Sequence, residues 1–302
     1  MAILEQLKSL VDDPPPAFVF ELSERGVAMA RLGRGGGPEL SFAPFPAPVL
    51  QASPVKENVS NPELLSAHVA SLAPASGGGQ SRRRRQAALI LPDYCTRIAL
   101  LDFDSFPKDP DEQSALVRFR MKKTVPFDMD AAAVSFQARK GAGKTTEVLA
   151  AAAAAEIVSR YEAPFRVAGF HTGFVTTSML AALDLLPKTG LQVCAKIGGQ
   201  TMTVAVCDGR QPRLVRCVEM ENFEADELMG VLYPTFAYAE DELKQRPARM
   251  FTCGFDRLDP GVLAWCAGEM GLAFEPLDSK WGAAAEHNAG LLGWLQAQEE
   301  RD

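Results

Sequence analysis

The sequence lacks features that several classes of protein require. Its six cysteines show no Cys-x-x-Cys spacing, and its three histidines have no metal-ligand partner at helical spacing, so neither a disulfide framework nor a zinc site is expected. No apolar run approaches the roughly 20 residues that cross a bilayer. The first 13 residues lack the basic and apolar regions of a signal peptide. We therefore expect a cytoplasmic protein with buried, reduced thiols and no metal.

An excess of basic charge is also missing. The chain has 31 basic and 38 acidic residues, which gives a formal net charge of -7. A nucleic-acid-binding protein needs a basic face that displaces counterions, so this class of function is not expected. With 47% hydrophobic and 23% charged residues, the composition is that of a soluble globular protein, and 302 residues suit two domains of about 150 residues each.

Two parts of the chain predict the same order of elements. Residues 17–45 and 191–220 each predict three short strands joined by tight turns, and helices alternate with strands after both. This duplication predicts two halves of similar fold that meet near residues 186–191. Ahead of the first strand, residues 2–12 predict a helix that packs against the body or a partner, with one apolar face formed by Ile3, Leu4, Leu7, Leu10 and Val11.

The segment GAGKTT at residues 141–146 is similar to the end of a phosphate-binding P-loop. The complete pattern requires glycine at position 138, where this chain has Ala138. A P-loop also lies between a strand and a helix, and the alanine-rich residues after this segment are compatible with a helix or with a second strand. We therefore interpret the segment as the tip of a hairpin, and a P-loop enzyme built around Lys144 is the alternative.

Beyond the duplication, the chain resembles the PilM-type actin-like proteins of type IV pilus assembly, which are related to the cytoplasmic actin-like domain of GspL-type secretion proteins. The resemblance lies in the order of several segments: LPDYCTRIALLDFDSFP, the turn Val125-Pro126-Phe127, the step Ala168-Gly169-Phe170 and the closing HNAGLLGWLQ. It implies an α/β protein with the actin-like ATPase fold, made of two RNase H-like halves and an inserted α+β subdomain. The predicted limits are a tail over 1–16, a first half over 17–186 with the insert over about 95–150, and a second half over 187–302.

This resemblance implies a scaffold without catalytic residues. PilM-type proteins lie at the inner face of the cytoplasmic membrane and bind the cytoplasmic N-terminal segment of a single-span partner, the PilN-type protein, in a groove beside the insert. For this chain it implies a peripheral cytoplasmic protein whose contact with the membrane is indirect. The positions that we place near the groove are Phe106, Pro107, Phe119, Val125 and Phe127.

The nucleotide-binding hairpins of the family are altered in this chain. Each family hairpin begins Asp-Ile-Gly, and the matching positions here are Glu21-Leu22-Ser23 and Lys196-Ile197-Gly198. A lysine in place of a carboxylate removes support for the metal ion that phosphoryl transfer uses. We expect no cofactor and no hydrolysis, while ATP binding without hydrolysis and an active Mg-ATP-dependent ATPase or kinase are the alternatives. The positions that match the family's nucleotide site are Ser23, Lys196, Gly198, Gly199, Thr201 and Gly254.

Overall fold

The computed structural model describes residues 16–33, 37–73, 85–141 and 143–301, so the predicted helix at 2–12 lies outside the described residues. The strands are β1 (Phe18–Ser23), β2 (Gly26–Arg31), β3 (Glu39–Pro44), β4 (Arg85–Leu91), β5 (Arg97–Phe103), β6 (Ala132–Lys140), β7 (Thr146–Ala154), β8 (Phe170–Thr177), β9 (Leu191–Gly198), β10 (Thr201–Asp208), β11 (Gln211–Glu219), β12 (Arg249–Cys253), β13 (Phe274–Pro276), β14 (Asp278–Ser279) and β15 (Gly282–Ala283). The helices are α1 (Pro62–Leu72), α2 (Pro110–Met121), α3 (Ala155–Val167), α4 (Ser178–Ala182), α5 (Ala225–Glu242), α6 (Pro260–Met270) and α7 (Ala289–Glu299). None of these described helices is long and apolar enough to span a membrane.

The first half is built on a five-stranded sheet in the order β3-β2-β1-β4-β8. β1 pairs antiparallel with β2 and parallel with β4, and β4 pairs parallel with β8. One face packs against α1 and α3 through Leu65, Tyr161 and Phe165, while the other packs against α7 through Leu291 and Trp294. Because both faces are covered, the central strands are almost continuous apolar runs instead of alternating ones.

The second half repeats this arrangement. Its sheet has the order β11-β10-β9-β12-β13, with β9 antiparallel to β10 and parallel to β12. Leu228, Leu232 and Phe236 of α5 pack into the core on one face of this sheet. The two sheets therefore share one strand order and one set of strand directions, and the predicted pair of RNase H-like halves is confirmed.

The insert lies between β4 and α3 and contains a three-stranded antiparallel sheet in the order β5-β7-β6. Helix α2 covers one face of this sheet, where Phe103, Val117, Met121 and Val148 form a separate small core. The sheet ends with β7 at Ala154, which is beyond the predicted limit of the insert at residue 150. An α+β insert is therefore present, as the fold class requires.

The GAGKTT segment lies at the tip of this sheet. Lys140 at the end of β6 is paired with Thr146 at the start of β7, and the Gly141 N–H donates to the Thr145 carbonyl at 2.9 Å. A strand follows the turn, so backbone amides at a helix start are not available to bind phosphate here. The hairpin interpretation is confirmed, and the P-loop alternative is wrong.

The last helix returns to the first half. α7 follows the second sheet in the chain, yet it packs against α4 and against the first sheet. Gly293 makes the close approach to α4 feasible, because a side-chain carbon on it would lie 2.0 Å from the Ala181 carbonyl oxygen. This crossing places the start of α7 beside the cleft between the two halves.

Candidate functional site

Two equivalent hairpins face each other across the cleft. The turn after Ser23 joins β1 to β2, and the turn after Gly198 joins β9 to β10. Glu21 and Lys196 therefore occupy equivalent positions, each two residues before the end of its strand. Both residues are buried, with 1% and 5% of their surface exposed. The duplicated backbone thus brings a carboxylate and an ammonium group into the same buried region.

Glu21 connects the first sheet to the two helices that begin at the cleft. Its Oε2 accepts the backbone N–H of Leu291 in the first turn of α7 at 2.7 Å, and its Oε1 accepts a hydrogen bond from the Ser178 hydroxyl. A carboxylate at a helix N-terminus is favourable because it satisfies a free N–H and interacts with the helix dipole. Burial raises the pKa of Glu21, against the opposing effect of Lys196 and these hydrogen bonds.

Asp93, directly after β4, is the buried partner of Lys196. Lys196 Nζ lies 3.3 Å from Asp93 Oδ2, which also accepts a hydrogen bond from Thr203 Oγ1 at 3.3 Å. Asp93 Oδ1 accepts the Met179 N–H at 2.6 Å. Burial by itself would lower the pKa of Lys196, but the carboxylates of Asp93 and Glu21 outweigh this effect and raise it. Lys196 is thus a charged lysine neutralised by carboxylates of the first half.

The next pair of equivalent positions is Glu24 and Gly199. A side-chain carbon on Gly199 would lie 2.4 Å from the Glu24 carboxylate, so Glu24 fills the space that the glycine leaves. The Gly199 N–H donates to Glu286 Oε1 at 2.7 Å, and the Gly199 carbonyl accepts a hydrogen bond from Arg257 at 2.9 Å. Burial raises the pKa of Glu24. The carboxylates of Glu24 and Glu286 therefore occupy the space beside the Gly199 backbone, which a phosphate would have to approach.

Little space remains in the cleft. Its cavity has a volume of about 20 Å³ and is lined by Leu22, Ser23, Glu24, Ala52, Pro92, Asp93, Lys196, Gly198, Gly199, Thr201 and Glu286. A cavity needs a volume of roughly 10–15 Å³ to hold one water molecule, whereas small-molecule sites typically have volumes of about 300–1,000 Å³. In this arrangement the cleft is large enough for a water molecule and much smaller than a nucleotide site.

A larger cavity lies beside the insert, and we call it the insert cavity. It has a volume of about 280 Å³ and lies between the insert sheet, α4 with the turn after it, and the turn between β10 and β11. The insert contributes the face of its sheet that is turned away from α2. Four leucines, Leu100, Leu149, Leu180 and Leu183, give the cavity its apolar walls. The other lining residues, most of them polar, are Gln137, Arg139, Glu147, Val148, Asp184, Arg210, Gln211 and Pro212.

An ion-pair network holds the insert against the second half at this cavity. Glu147 on β7 lies 2.7 Å from the Arg139 guanidinium on β6 and 2.9 Å from the Arg213 guanidinium on β11. The three side chains are between 23% and 30% exposed, so solvent only partly screens these contacts. One carboxylate therefore joins the insert hairpin to the neighbouring sheet at the insert cavity.

Comparison with solved structures decides the fold. The chain is similar to a chain of a PilM–PilN type IV pilus biogenesis complex, at 17% identity and a TM-score of 0.69, over 94% of this chain and 98% of that one. A Bacteroides thetaiotaomicron protein with an actin-like ATPase fold and unknown function has a TM-score of 0.55 at 10% identity, over 92% and 94% of the two chains. The chain has the actin-like ATPase fold.

A third solved structure agrees with this fold. The cytoplasmic domain of EpsL, an inner-membrane component of the type II secretion system of Vibrio cholerae, has a TM-score of 0.51 at 10% identity, over 94% of each chain. No protein-family model matches the sequence, and no curated protein matches it. At these identities the likeness establishes the actin-like fold and nothing further.

Within the actin-like fold, the positions predicted for a nucleotide come together, with one exception. Ser23, Lys196, Gly198, Gly199 and Thr201 all line the cleft. Gly254, at the end of β12, lies behind the second hairpin instead. Its φ of +73° and its distance to the second hairpin both favour glycine, because a side-chain carbon there would lie 2.5 Å from the Ile197 carbonyl oxygen.

The positions predicted for the partner lie around α2. Phe106, Val125 and Phe127 are partly buried against the core of the insert, and the Pro107 carbonyl accepts a hydrogen bond from Gln113 at 2.8 Å. Phe119 on α2 is 71% exposed. None of these five described residues lines the insert cavity, which lies on the opposite face of the insert sheet.

Three residues of the cleft were missed in the sequence. Asp93 follows Pro92 directly after an apolar strand, and the carboxyl end of a parallel strand is a position where functional groups of α/β proteins gather. That signal was present and could have been used. Arg257 ends a short 3-10 helix and Glu286 lies in a turn, neither of which has a periodic sequence pattern, so their approach to Gly199 depends on the fold alone.

The six cysteines are all free, and five of them are buried. Burial raises the pKa of the Cys207 and Cys217 thiols to about 12, so neither is a thiolate nucleophile at neutral pH. Within the described ranges, no group of three or more histidine, cysteine, aspartate or glutamate residues is arranged to hold a metal ion.

Proposed function

We propose that this protein is a non-enzymatic, actin-like scaffold of a type IV pilus or related secretion machine, and that it binds a short cytoplasmic segment of an inner-membrane partner. One contrast supports the proposal. Charged side chains of the chain itself fill the cleft between the halves, whereas the insert cavity is open and has apolar walls. The similarity to a chain of the PilM–PilN complex supports a PilN-type partner.

The cleft supports the absence of catalysis. Phosphoryl transfer needs a bridging metal ion and an oriented nucleophile. Here the ammonium group of Lys196 lies where a carboxylate would support the metal, and Asp93 is already paired with it. Mg-ATP could enter only if this buried pair separated and if Glu24 and Glu286 left the second hairpin. The chain therefore uses the actin-like fold as a rigid body and not as a nucleotide switch.

The insert cavity supports binding of a peptide. Its leucine walls suit two or three apolar side chains, and the side-chain amides of Gln137 and Gln211 suit the backbone of an extended segment. The lining includes both basic and acidic residues, which favours a peptide without a large net charge. A partner held in this way places the protein at the inner face of the membrane without any membrane-spanning segment of its own.

A binding assay with two variants tests this proposal. A synthetic peptide with the cytoplasmic N-terminal sequence of the PilN-type protein from the same organism is titrated with the full chain, and its fluorescence anisotropy is measured. Leu149→Gln places an amide in the apolar wall and should weaken binding at least about tenfold, since a buried anchor typically contributes about 2 kcal/mol or more. The control Phe119→Ser changes an exposed ring of the same insert and should leave the affinity unchanged.

The opposite pattern of affinities would place the partner site around α2 instead of in the insert cavity. If Phe119→Ser, Phe106→Ala or Phe127→Ala weakened the peptide at an unchanged melting temperature while Leu149→Gln did not, the partner would bind around α2. If the wild-type chain did not bind the peptide at all, the proposed scaffold function would be wrong.

A separate measurement tests the absence of catalysis. We expect calorimetry with Mg-ATP to give no measurable heat of binding and a phosphate-release assay to give no turnover. Lys144→Ala should change neither result, because Lys144 lies in the exposed turn between β6 and β7. Magnesium-dependent turnover that is abolished by Glu21→Gln would show that the cleft opens and that the chain is an ATPase.

A further inference from the structure

A third cavity lies at the edge of the first sheet, and we call it the edge cavity. It has a volume of about 710 Å³ and is bounded by the edge strand β8, α4 and α7. The apolar part of its lining consists of Ala87, Phe174, Leu180, Ala181, Trp294 and Ala297. This volume lies within the range of roughly 300–1,000 Å³ that is typical of binding sites. The edge cavity shares Leu180 and Asp184 with the insert cavity. Its other lining residues line neither the insert cavity nor the cleft.

The edge cavity leaves apolar surface uncovered. β8 is the edge strand of this sheet: among the described strands it pairs with β4 alone. Phe174 on this strand is 49% exposed, and Gly173 lies beside it where the pairing register with β4 shifts. Proteins usually cover an apolar edge strand with a helix or loop because an open edge promotes association. We therefore expect a further segment to cover this cavity.

The chain itself supplies a candidate at the rim. Pro16, the first described residue, is part of the cavity lining. In the sequence, Pro14 and Pro15 come directly before it, and consecutive prolines generally favour a stiff, extended chain of about 3 Å per residue. Only these two prolines separate residues 1–13 from a residue of the cavity lining in the sequence. A short tether of this kind gives a millimolar effective concentration, so even a weak interaction would fill the site.

The composition of that segment matches the cavity. Its apolar residues recur at helical spacing on one face: Ile3, Leu4, Leu7, Leu10 and Val11. Asp12 and Asp13 lie next to the prolines in the sequence, and the lining contains Arg301 and His171 beside one acidic residue, Asp184. We propose that residues 3–11 of the same chain dock their apolar face in the edge cavity and cover β8.

Hydrogen exchange of the full chain, followed by mass spectrometry, tests this docking. An isolated helix of about this length is marginal in water, so protection of its amides reports contact with the body. We expect the amides of residues 3–11 to exchange at least tenfold more slowly than an unstructured peptide. Phe174→Asp should remove this protection, and Leu4→Asp/Leu7→Asp should increase exchange along β8. The matched control Phe119→Asp changes an exposed ring on the insert and should preserve the protection.

Three results would overturn the proposal. The first is exchange of residues 3–11 at the rate of an unstructured peptide. The second is protection that persists in Phe174→Asp while the melting temperature is unchanged. The third is protection that depends on protein concentration, together with a dimer in light scattering, because the occupant would then be a second copy. These readouts need no peptide partner, so they are independent of the insert cavity and its proposed ligand.

Discussion

The two halves have the same strand order and nearly opposite chemistry at their hairpins. Glu21 in β1 and Lys196 in β9 occupy equivalent positions, yet one is a buried carboxylate that holds the start of α7 and the other a buried ammonium group. Each residue alone would be a costly buried charge. Across the cleft, the carboxylates of Asp93 and Glu21 compensate the positive charge of Lys196. Duplication of a backbone therefore does not duplicate a site, because the side chains of one half can complement those of the other.

The turns after these strands differ in the same complementary way. Glu24 extends a side chain from the first turn, and Gly199 leaves space for it in the second. The N–H of Gly199 is satisfied by Glu286, so the second turn has no free amide for an anion. In both pairs the first half contributes a carboxylate, which faces the ammonium group of Lys196 in one pair and fills the space beside Gly199 in the other. The cleft is thereby a packed interface between the halves.

The largest effect is expected where this complementarity is broken. Lys196→Met leaves the carboxylates of Asp93 and Glu21 buried without a cation, and removing one member of a buried pair typically costs about 3–5 kcal/mol. Urea unfolding of the variant should show a loss of stability of this size. Lys188→Met is the matched control, because Lys188 pairs with Glu300 while 67% exposed, and its loss should be below about 1 kcal/mol. Equal losses in the two variants would show that Lys196 does not neutralise the cleft.

A smaller effect tests the fit of Glu24 against the second turn. Gly199→Ala places a methyl group on the Glu24 carboxylate at a φ of +57°, whereas Gly271→Ala has a φ of +62° and no neighbour within 4 Å. The backbone cost should be about 1–2 kcal/mol in both, and displacement of Glu24 should add about 1 kcal/mol to the first alone. In a Glu24→Ala background this difference should disappear. Thermal unfolding of the four variants gives the comparison, and equal losses for the two glycine variants would contradict the packing.

The smallest effect is a dependence on pH at high pH. The folded-state pKa of Lys196 is raised, so its contribution to stability is fully present below the unfolded-state value of about 10.4 and is lost as the pH rises through the folded value. One such proton changes the free energy of unfolding by up to about 1.4 kcal/mol per pH unit. Urea unfolding between pH 8 and 11 should show a steeper fall for the wild type than for Lys196→Met. Identical slopes would mean that the pKa of Lys196 is not raised.

Much of the fold could be predicted because it is encoded locally. Strand-turn-strand patterns and capped helices depend on neighbours in the chain, and their repetition predicts two similar sheets. Five of the six nucleotide-site positions also lie together, since they belong to the two hairpins, while Gly254 does not line the cleft. The pairing of Lys196 with Asp93 could not be predicted, because these residues come from different halves and meet only when the sheets pack. The insert cavity escaped prediction for the same reason, as its walls come from both halves and the insert.

The alanine-rich run at 150–155 shows most clearly how tertiary structure can override the local preference of the sequence. Alanine is the best helix former, yet the run stays in β7 up to Ala154 and α3 begins only at Ala155. β7 is the central strand of the insert, so β5 and β6 satisfy its backbone on both sides and its small side chains fit beneath α2. The sequence by itself determined the two hairpins, their duplication and which residues carry charge. Tertiary structure decided which charges meet, which cavity closes and which opens, because distance and burial across separate elements set those energies.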